Sequence, residues 1–196
     1  MSSTPHCLLS GEGAERFARV MGHEYYREIT DNARRAHREM LDQLAQEKPA
    51  MPGVDNDQFA RYWNYAGAPG FKPGTCDTVG AAVRDAQGHF AVADSTGGSA
   101  PSLLGRVGDT PLVGCGFYAG PAGAVAATGV GEYIIRTLLA STVYQWIAAG
   151  VPLDTALRRG VELIPHEVDV GLIAVSRDEA GAYSNAAMPQ AVVHHG

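Results

Sequence analysis

Four glycine-bearing pieces between Gly74 and Glu132 constrain this chain more than any other stretch of it. The first, Gly74-Thr75-Cys76-Asp77-Thr78-Val79-Gly80, ends where a polar run meets the alternating segment Val79-Gly80-Ala81-Ala82-Val83, which sets the Thr78 hydroxyl at the mouth of a strand. Next come Ser95-Thr96-Gly97-Gly98 and Gly105-Arg106-Val107-Gly108-Asp109. The last piece, Thr128-Gly129-Val130-Gly131-Glu132, leads into a long apolar-faced segment. Two predicted strands, Val79 to Arg84 and His89 to Ser95, flank Asp85-Ala86-Gln87-Gly88, a turn whose glycine tolerates the positive φ that hairpins require. Counting back from that turn brings Thr96 opposite Thr78, so two hydroxyls share one face at the open end of one hairpin.

Around this hairpin the pattern predicts a mixed chain. His6 to Ser10 reads as a short strand, and Ala14 to Met21 as a helix with Phe17, Val20 and Met21 on one face and Gly22 as its C-cap. A second helix is expected from Thr30 or Asp31 to about Glu47, with Ala33, Ala36, Met40 and Leu44 inward and a solvated charged face. The Pro- and Gly-dense stretch from Lys48 to Gly74 reads as a linker, interrupted by the aromatic patch Phe59, Tyr62, Trp63 and Tyr65. Leu112 to Phe117 and Ala124 to Thr128 are expected to form a second hairpin, turned at Gly120-Pro121. One helix from Glu132 to Ala149 carries an apolar stripe too broad for a surface helix. Another is expected from Pro152 to Ile164, and a strand from Val168 to Ser176 pairs with Ala182 to Ser184.

Charge and cysteine usage narrow the function classes. A net charge of −6 and a pI near 5.6 give no basic footprint for nucleic acid. No apolar run reaches the ~20 residues of a membrane span, and Met1 to Pro5 lacks the basic start and apolar core of a signal peptide, so the expected location is the cytoplasm. Cys7, Cys76 and Cys115 form no C-x-x-C and read as free thiols. His166, Glu167 and Asp169, and the tail pair His194-His195, lack helical metal-ligand spacing and read as surface residues. The G-x-G of Gly129 and Gly131 lacks both the third glycine and the βαβ context of a dinucleotide site.

Asp77-Thr78-Val79-Gly80-Ala81, Ser95-Thr96-Gly97-Gly98, Gly105-Arg106-Val107-Gly108-Asp109-Thr110-Pro111 and Ala127-Thr128-Gly129-Val130-Gly131-Glu132, in this order and spacing, resemble the N-terminal-nucleophile hydrolases of the plant-type asparaginase, isoaspartyl peptidase and glycosylasparaginase family. The similarity runs from about Pro5 to the end. It thins between residues 49 and 73 and after Ser184, where Ser184-Asn185-Ala186-Ala187-Met188 departs from the asparaginase pattern. The resemblance implies an α+β fold, a four-layer αββα sandwich, here lacking the glycine-rich opening of the family and part of the first-half sheet. One domain over residues 1–196 is expected, with 1–77 as the end of an α-subunit, a linker at 48–77, and 78–196 as the β-subunit.

Self-cleavage between Asp77 and Thr78 is implied, leaving Thr78 as nucleophile with its own α-amine as base, since a free α-amine near pKa 7.7–8 keeps a neutral fraction at neutral pH. Thr96 is then expected to tune that hydroxyl, Thr128 and the Gly129 amide to hold the oxyanion, and the Gly131 carbonyl to position substrate. The resemblance assigns Arg106 to the substrate α-carboxylate and Asp109 to its α-amine. Read without the family, Thr78 and Thr96 are a cross-strand pair, and Arg106 and Asp109 a local ion pair at i,i+3. The expected activity is hydrolysis of the side-chain amide of asparagine or of β-aspartyl dipeptides, without metal or cofactor, in a dimer of αβ units. Asp77 before the nucleophile also resembles glycosylasparaginases, and a catalytically silent fragment is the alternative from another class.

Overall fold

The computed structural model describes residues 4–25, 29–32, 34–35, 38–39, 78–99, 102–103 and 105–193. Contacts divide the chain into two units, Met1–Asp42 and Gln43–Gly196. In the first unit, α1 (Gly11–Val20) is held by two i,i+4 pairs, Arg16 to Glu12 and Arg19 to Glu15, and buries none of its residues. Met21 caps it, and Gly22 follows at φ 86°, the left-handed conformation that ends a helix most cheaply in glycine. Residues 6–10, expected as a strand, lie outside regular structure. Residues 31, 32, 34, 35, 38 and 39 are helical, while the inner stripe Ala33, Ala36, Met40 and Leu44, the linker with its aromatic patch, Cys76 and Asp77 lie outside the described residues.

In the second unit, small side chains let two antiparallel sheets approach closely. Strands β1 (Thr78–Arg84) and β2 (Phe90–Thr96) form a hairpin in the expected register, Thr78 opposite Thr96. Its turn is tied by Asp85, whose Oδ1 accepts from the Gln87 and His89 amides at 2.9 and 2.8 Å, with Gly88 at φ 86°. The second sheet has the order β3 (Phe117–Gly120), β4 (Gly123–Gly129), β5 (Val170–Ser176), β6 (Ala180–Ser184). A Cβ on Gly80 of β1 would stand 3.3 Å from the Ala126 Cβ and 3.6 Å from Ile173 Cδ1, which places the hairpin face to face with β4 and β5.

The opposite face of β4 and β5 turns Val125, Ala127, Val170, Leu172 and Ala174 into the main core. There α3 (Leu139–Ala148) and α4 (Leu153–Glu162) cover the sheet, α2 (Gly131–Thr137) preceding them. Gly160 is at the contact: a Cβ there would come within 2.5 Å of Val143 Cγ2 and 2.6 Å of Leu172 Cδ1. The described residues of this unit therefore make three layers, hairpin, sheet and helices, with α and β mixed.

Several element boundaries after Asp109 differ from the sequence expectation. Residues 112–116 of the expected strand are a wound loop, and only Phe117 joins a strand, β3; the Asp109 carbonyl accepts from Leu112 and Gly116 at 2.8 and 3.1 Å. The second hairpin is thus β3–β4, turned at Pro121-Ala122 with Gly120 opposite Gly123. The single helix expected from Glu132 is two, broken at Leu138 with φ 47° and ψ 46°. The break keeps Ile134 and Leu139 both fully buried while Leu138 is 54% exposed, so the broad stripe is shared between two helix faces rather than sandwiched around one. Strand β5 begins at Val170 and β6 at Ala180, each two residues from the expected start.

Candidate active site

Period-2 alternation sets the chemistry of the hairpin. Thr78, Gly80 and Ala82, with Thr96, Asp94 and Val92 opposite them, form the face toward the second sheet; Val79, Ala81 and Val83 form the outer face with Ser95, Ala93 and Ala91. At its open end the Thr78 hydroxyl donates to Thr96 Oγ1 at 3.1 Å, and the Gly98 amide donates to the same oxygen at 3.0 Å. A hydroxyl that accepts both bonds is oriented, and its own proton remains free to be given elsewhere.

Arg106 and Asp109 do not form the local ion pair that their spacing permits. Arg106 Nε and Nη2 donate to Glu132 Oε1 and Oε2, both at 3.0 Å, a two-pronged pair in which the Arg106 side chain is only 17% exposed. Asp109 is 7% exposed and Thr110 6%. Burial raises the Asp109 carboxyl above its ordinary value, opposed by its own amide and by the Arg106 guanidinium. Both side chains converge on Gly131: a Cβ there would lie 2.6 Å from Asp109 Oδ1 and 2.9 Å from Arg106 Nη2. Glycine at 131 is thus a space requirement, met where β4 has ended and α2 begins.

The loop that carries Asp109 is pinned on two sides. Ala127 of β4 donates to the Gly116 carbonyl at 2.7 Å, and the first turn of α3 donates from Ala140 to Cys115 O and from Ser141 to Gly114 O. Cys115 is buried and free, its thiol pushed up by burial and by the Asp109 charge, while Cys7 is exposed and free. Thr128 pairs with Gly171 and Gly129 with Val170; Gly129 has φ 143°, and a Cβ there would meet the Asp169 carbonyl at 2.4 Å. Only glycine fits that approach. His166 and Glu167 are exposed and 3.8 Å apart, and Asp169 is exposed; His194-His195 lies outside the described residues.

Three further residues of this region are placed in contacts that the motifs do not point to. Glu132 reads simply as a helix-opening acid, and its reach to Arg106 is a tertiary contact. Asn185 falls in a segment with no pattern, yet it takes the Val170 amide on Oδ1 and gives Nδ2 to the Val168 carbonyl, both at 2.8 Å, which clamps the strand start beside Gly129. Asp94 lines an open groove of about 510 Å³ with Val92, Ala93, Thr96, Thr110, Pro111 and Phe117. Its Oδ2 is enclosed and has no hydrogen-bond partner among the described residues. Burial first, then the Asp109 charge, raise this carboxyl to about 6. Alternation alone places Asp94 inward, which was the available clue.

Fold and site together define a class: two facing antiparallel sheets, the four-stranded one backed by helices, with a threonine at the start of a hairpin strand, and a buried Asp and Gly with a partly buried Arg beside the strand-to-helix crossing. The chain matches the Asparaginase family model over residues 1–194 and belongs to that family. It is 32% identical to the isoaspartyl peptidase/L-asparaginase of Mus musculus, covering 100% of this chain and 56% of that protein. It is 33% identical to the plant-type L-asparaginase of Pyrococcus abyssi, over 94% of this chain and 59% of that one. The isoaspartyl peptidase of Salmonella typhimurium is 37% identical, over 96% and 56%. The chain therefore spans little more than half the length of these curated relatives.

Proposed function

We propose that this chain carries the nucleophile half of a threonine amidohydrolase that acts on the side-chain amide of L-asparagine or on β-aspartyl dipeptides. The carrying observation is the Thr78–Thr96 hydroxyl pair at 3.1 Å on the inner face of the hairpin. The names of the relatives support the substrate class.

In this reading the Asp77–Thr78 bond is cut first, by attack of the Thr78 hydroxyl on the Asp77 carbonyl and hydrolysis of the resulting ester. The released α-amine of Thr78 then takes the proton of its own hydroxyl as the oxygen attacks the side-chain amide carbon. The tetrahedral oxyanion is met by the Thr128 hydroxyl and the Gly129 amide; such donors, preorganised in a site closed to water, are worth about 2.7–4 kcal/mol each. Collapse expels ammonia or an amine, and water releases aspartate from the Thr78 ester. Thr96 orients the nucleophile. Arg106 offers a guanidinium to the substrate α-carboxylate and Asp109 a carboxylate to its ammonium, with the Gly131 carbonyl beside them. Glu132 holds the Arg106 fork in place before substrate arrives. The expected complete enzyme is a four-layer sandwich, a dimer of αβ units in the cytoplasm.

The test is the mass of the full chain after incubation, alongside release of ammonia from L-asparagine. Two fragments, one beginning at Thr78, and a single intact chain for Thr78→Ala are expected. Cleavage elsewhere with activity retained overturns the nucleophile assignment.

A further inference from the structure

Two contacts fix the direction in which the hairpin lies over the second sheet. A Cβ on Gly80 would meet Ile173 Cδ1 at 3.6 Å, and Arg84 Nη1 donates to the Arg177 carbonyl; both contacts join positions 93 residues apart. Strand β1 thus runs parallel to β5 and antiparallel to β4, and the same offset carried back to its first residue sets Thr78 over Gly171. Gly171 pairs with Thr128 on one side and with Ser184 on the other, and residues directly opposite in adjacent strands hold their Cβ positions on one face about 4.5–5.5 Å apart. The place that a side chain at 171 would fill is taken by Met188: a Cβ there would collide with its Sδ. The thioether therefore lies between the sheets, beside Thr128 and under the Thr78 end of the hairpin. Met188 and the Arg106–Asp109 set stand on opposite sides of Thr128. The loop that carries Asp109 follows the β3 edge of β4, where the Ala127 amide donates to the Gly116 carbonyl, whereas Gly171 and Met188 are on the β5 edge.

We infer that Met188 is a specificity wall: it bounds the space open to the leaving group and so favours L-asparagine over β-aspartyl dipeptides. This rests on the amidohydrolase reading, in which the substrate α-carbon is held at Arg106 and Asp109 and its amide carbon at Thr78. An amide so placed directs its nitrogen away from Arg106 and Asp109, toward β5. Ammonia needs little more room than that nitrogen, whereas the leaving amine of a dipeptide brings a whole residue against the thioether. Three rotatable bonds let methionine yield partway, so the wall grades substrates rather than barring one class. A misfit of one methylene in an apolar pocket is worth about 10–200-fold in discrimination.

L-asparagine and β-aspartyl-leucine share the aspartyl part and differ in the leaving group, so kcat/KM of the full chain on each isolates the effect. Wild type is expected to favour asparagine, and Met188→Ala to raise the dipeptide-to-asparagine ratio about tenfold. Met188→Leu, of similar volume, should keep the wild-type ratio. Met188→Val, a smaller truncation, should move the ratio the same way as alanine, and it decides if the alanine variant does not fold. An unchanged ratio in the truncations, an equal loss on both substrates, or a wild type that favours the dipeptide overturns the wall. If wild type cleaves neither compound, the amidohydrolase reading has failed separately. Calorimetric titration with the same two compounds then decides: the same shift in the ratio of Kd values on Met188→Ala upholds the wall, and no shift, or no binding of either, overturns it.

Discussion

The two sheets of the second unit are built from similar residues and treat them in opposite ways. In β4 five consecutive residues, Gly123 to Ala127, are buried, and behind them Leu139, Val143, Leu157 and Leu172 are essentially without solvent. In β1 and β2 no residue is buried; Val79 is 68% exposed and Val83 53%. The difference is one of covering layers. The four-stranded sheet has helices on one face and the hairpin on the other, while the described residues cover the hairpin on its inner face alone. The sheet between layers supplies stability, since buried apolar area contributes about 25 cal/mol per Å². In the proposed reading the hairpin supplies the chemistry at its open end, where the Thr78–Thr96 hydroxyl pair stays exposed. On that reading the active groups fall on the less buried sheet, which is held against the more buried one through Gly80 and Ala126.

Substitutions can break or sharpen this division. The largest effect is expected for Thr78→Ala, which should abolish amide hydrolysis, a loss of at least about three decades in kcat/KM, roughly 4 kcal/mol of transition-state stabilisation. Its urea midpoint should stay within the change of one surface hydrogen bond. If instead the chain unfolds, the hairpin is structural and the division fails.

Leu172→Ala tests the other side. Leu172 is fully buried against Gly160 and the α3–α4 pair, and its truncation should cost about 2–5 kcal/mol of stability by urea unfolding. Val79→Thr on the outer hairpin face should stay within about 0.5 kcal/mol. Equal losses would mean that something covers the hairpin as thoroughly as the helices cover β5.

Arg106→Ala should lose charge-assisted hydrogen bonds of about 1.5–3 kcal/mol, one to two decades in kcat/KM, for substrates with a free α-carboxylate. Amidated substrates should show a much smaller loss. Normal discrimination by the variant would show that Arg106 serves Glu132 rather than the ligand.

A smaller effect, and one that depends on pH, is expected for Asp94→Asn. The Asp94 carboxyl rises from 3.8 to about 6 in the folded chain, so the unfolded chain releases this proton more readily and the group opposes folding once pH exceeds the unfolded value. The groups bearing on it are Asp109 directly, and Arg106 and Glu132 through Asp109. The variant should therefore match wild type below about pH 4 and gain stability as pH rises from 4 to 6. The gain should level off at about 1 kcal/mol above that, after allowance for partial solvent screening. Urea titrations at pH 4 and pH 7.5 read this directly, and a larger gain at pH 4 would reverse the assignment.

The smallest is Leu138→Gly. Left-handed leucine costs about 1–2 kcal/mol, and a half-exposed side chain returns part of that on removal, so a net gain of about 0.5–1 kcal/mol is expected in thermal unfolding. A loss would place the value of Leu138 in its contacts.

What was legible without coordinates follows from periodicity and local chemistry. Alternation of two and the Asp85 to Gly88 turn suffice for the β1–β2 register, hence for the meeting of Thr78 and Thr96, because in a hairpin the turn fixes every pair after it. The helix end at Gly22 was equally local. The broad stripe after Glu132 was legible as burial but not as two helices, since hydrophobicity reports that Ile134 and Leu139 face inward and not that the helix breaks at Leu138. Loop 112–116 looked like a strand because the bonds that wind it go to the Asp109 carbonyl, which no alternation records. Arg106 and Asp109 were legible as recognition candidates by resemblance, while their convergence on Gly131, the Glu132 fork and the stranded oxygen of Asp94 were decided by tertiary structure alone. Sequence separation carries no distance: Glu132 lies 26 residues from Arg106, and only the packing of the Asp109 loop between β4 and α3 closes that gap.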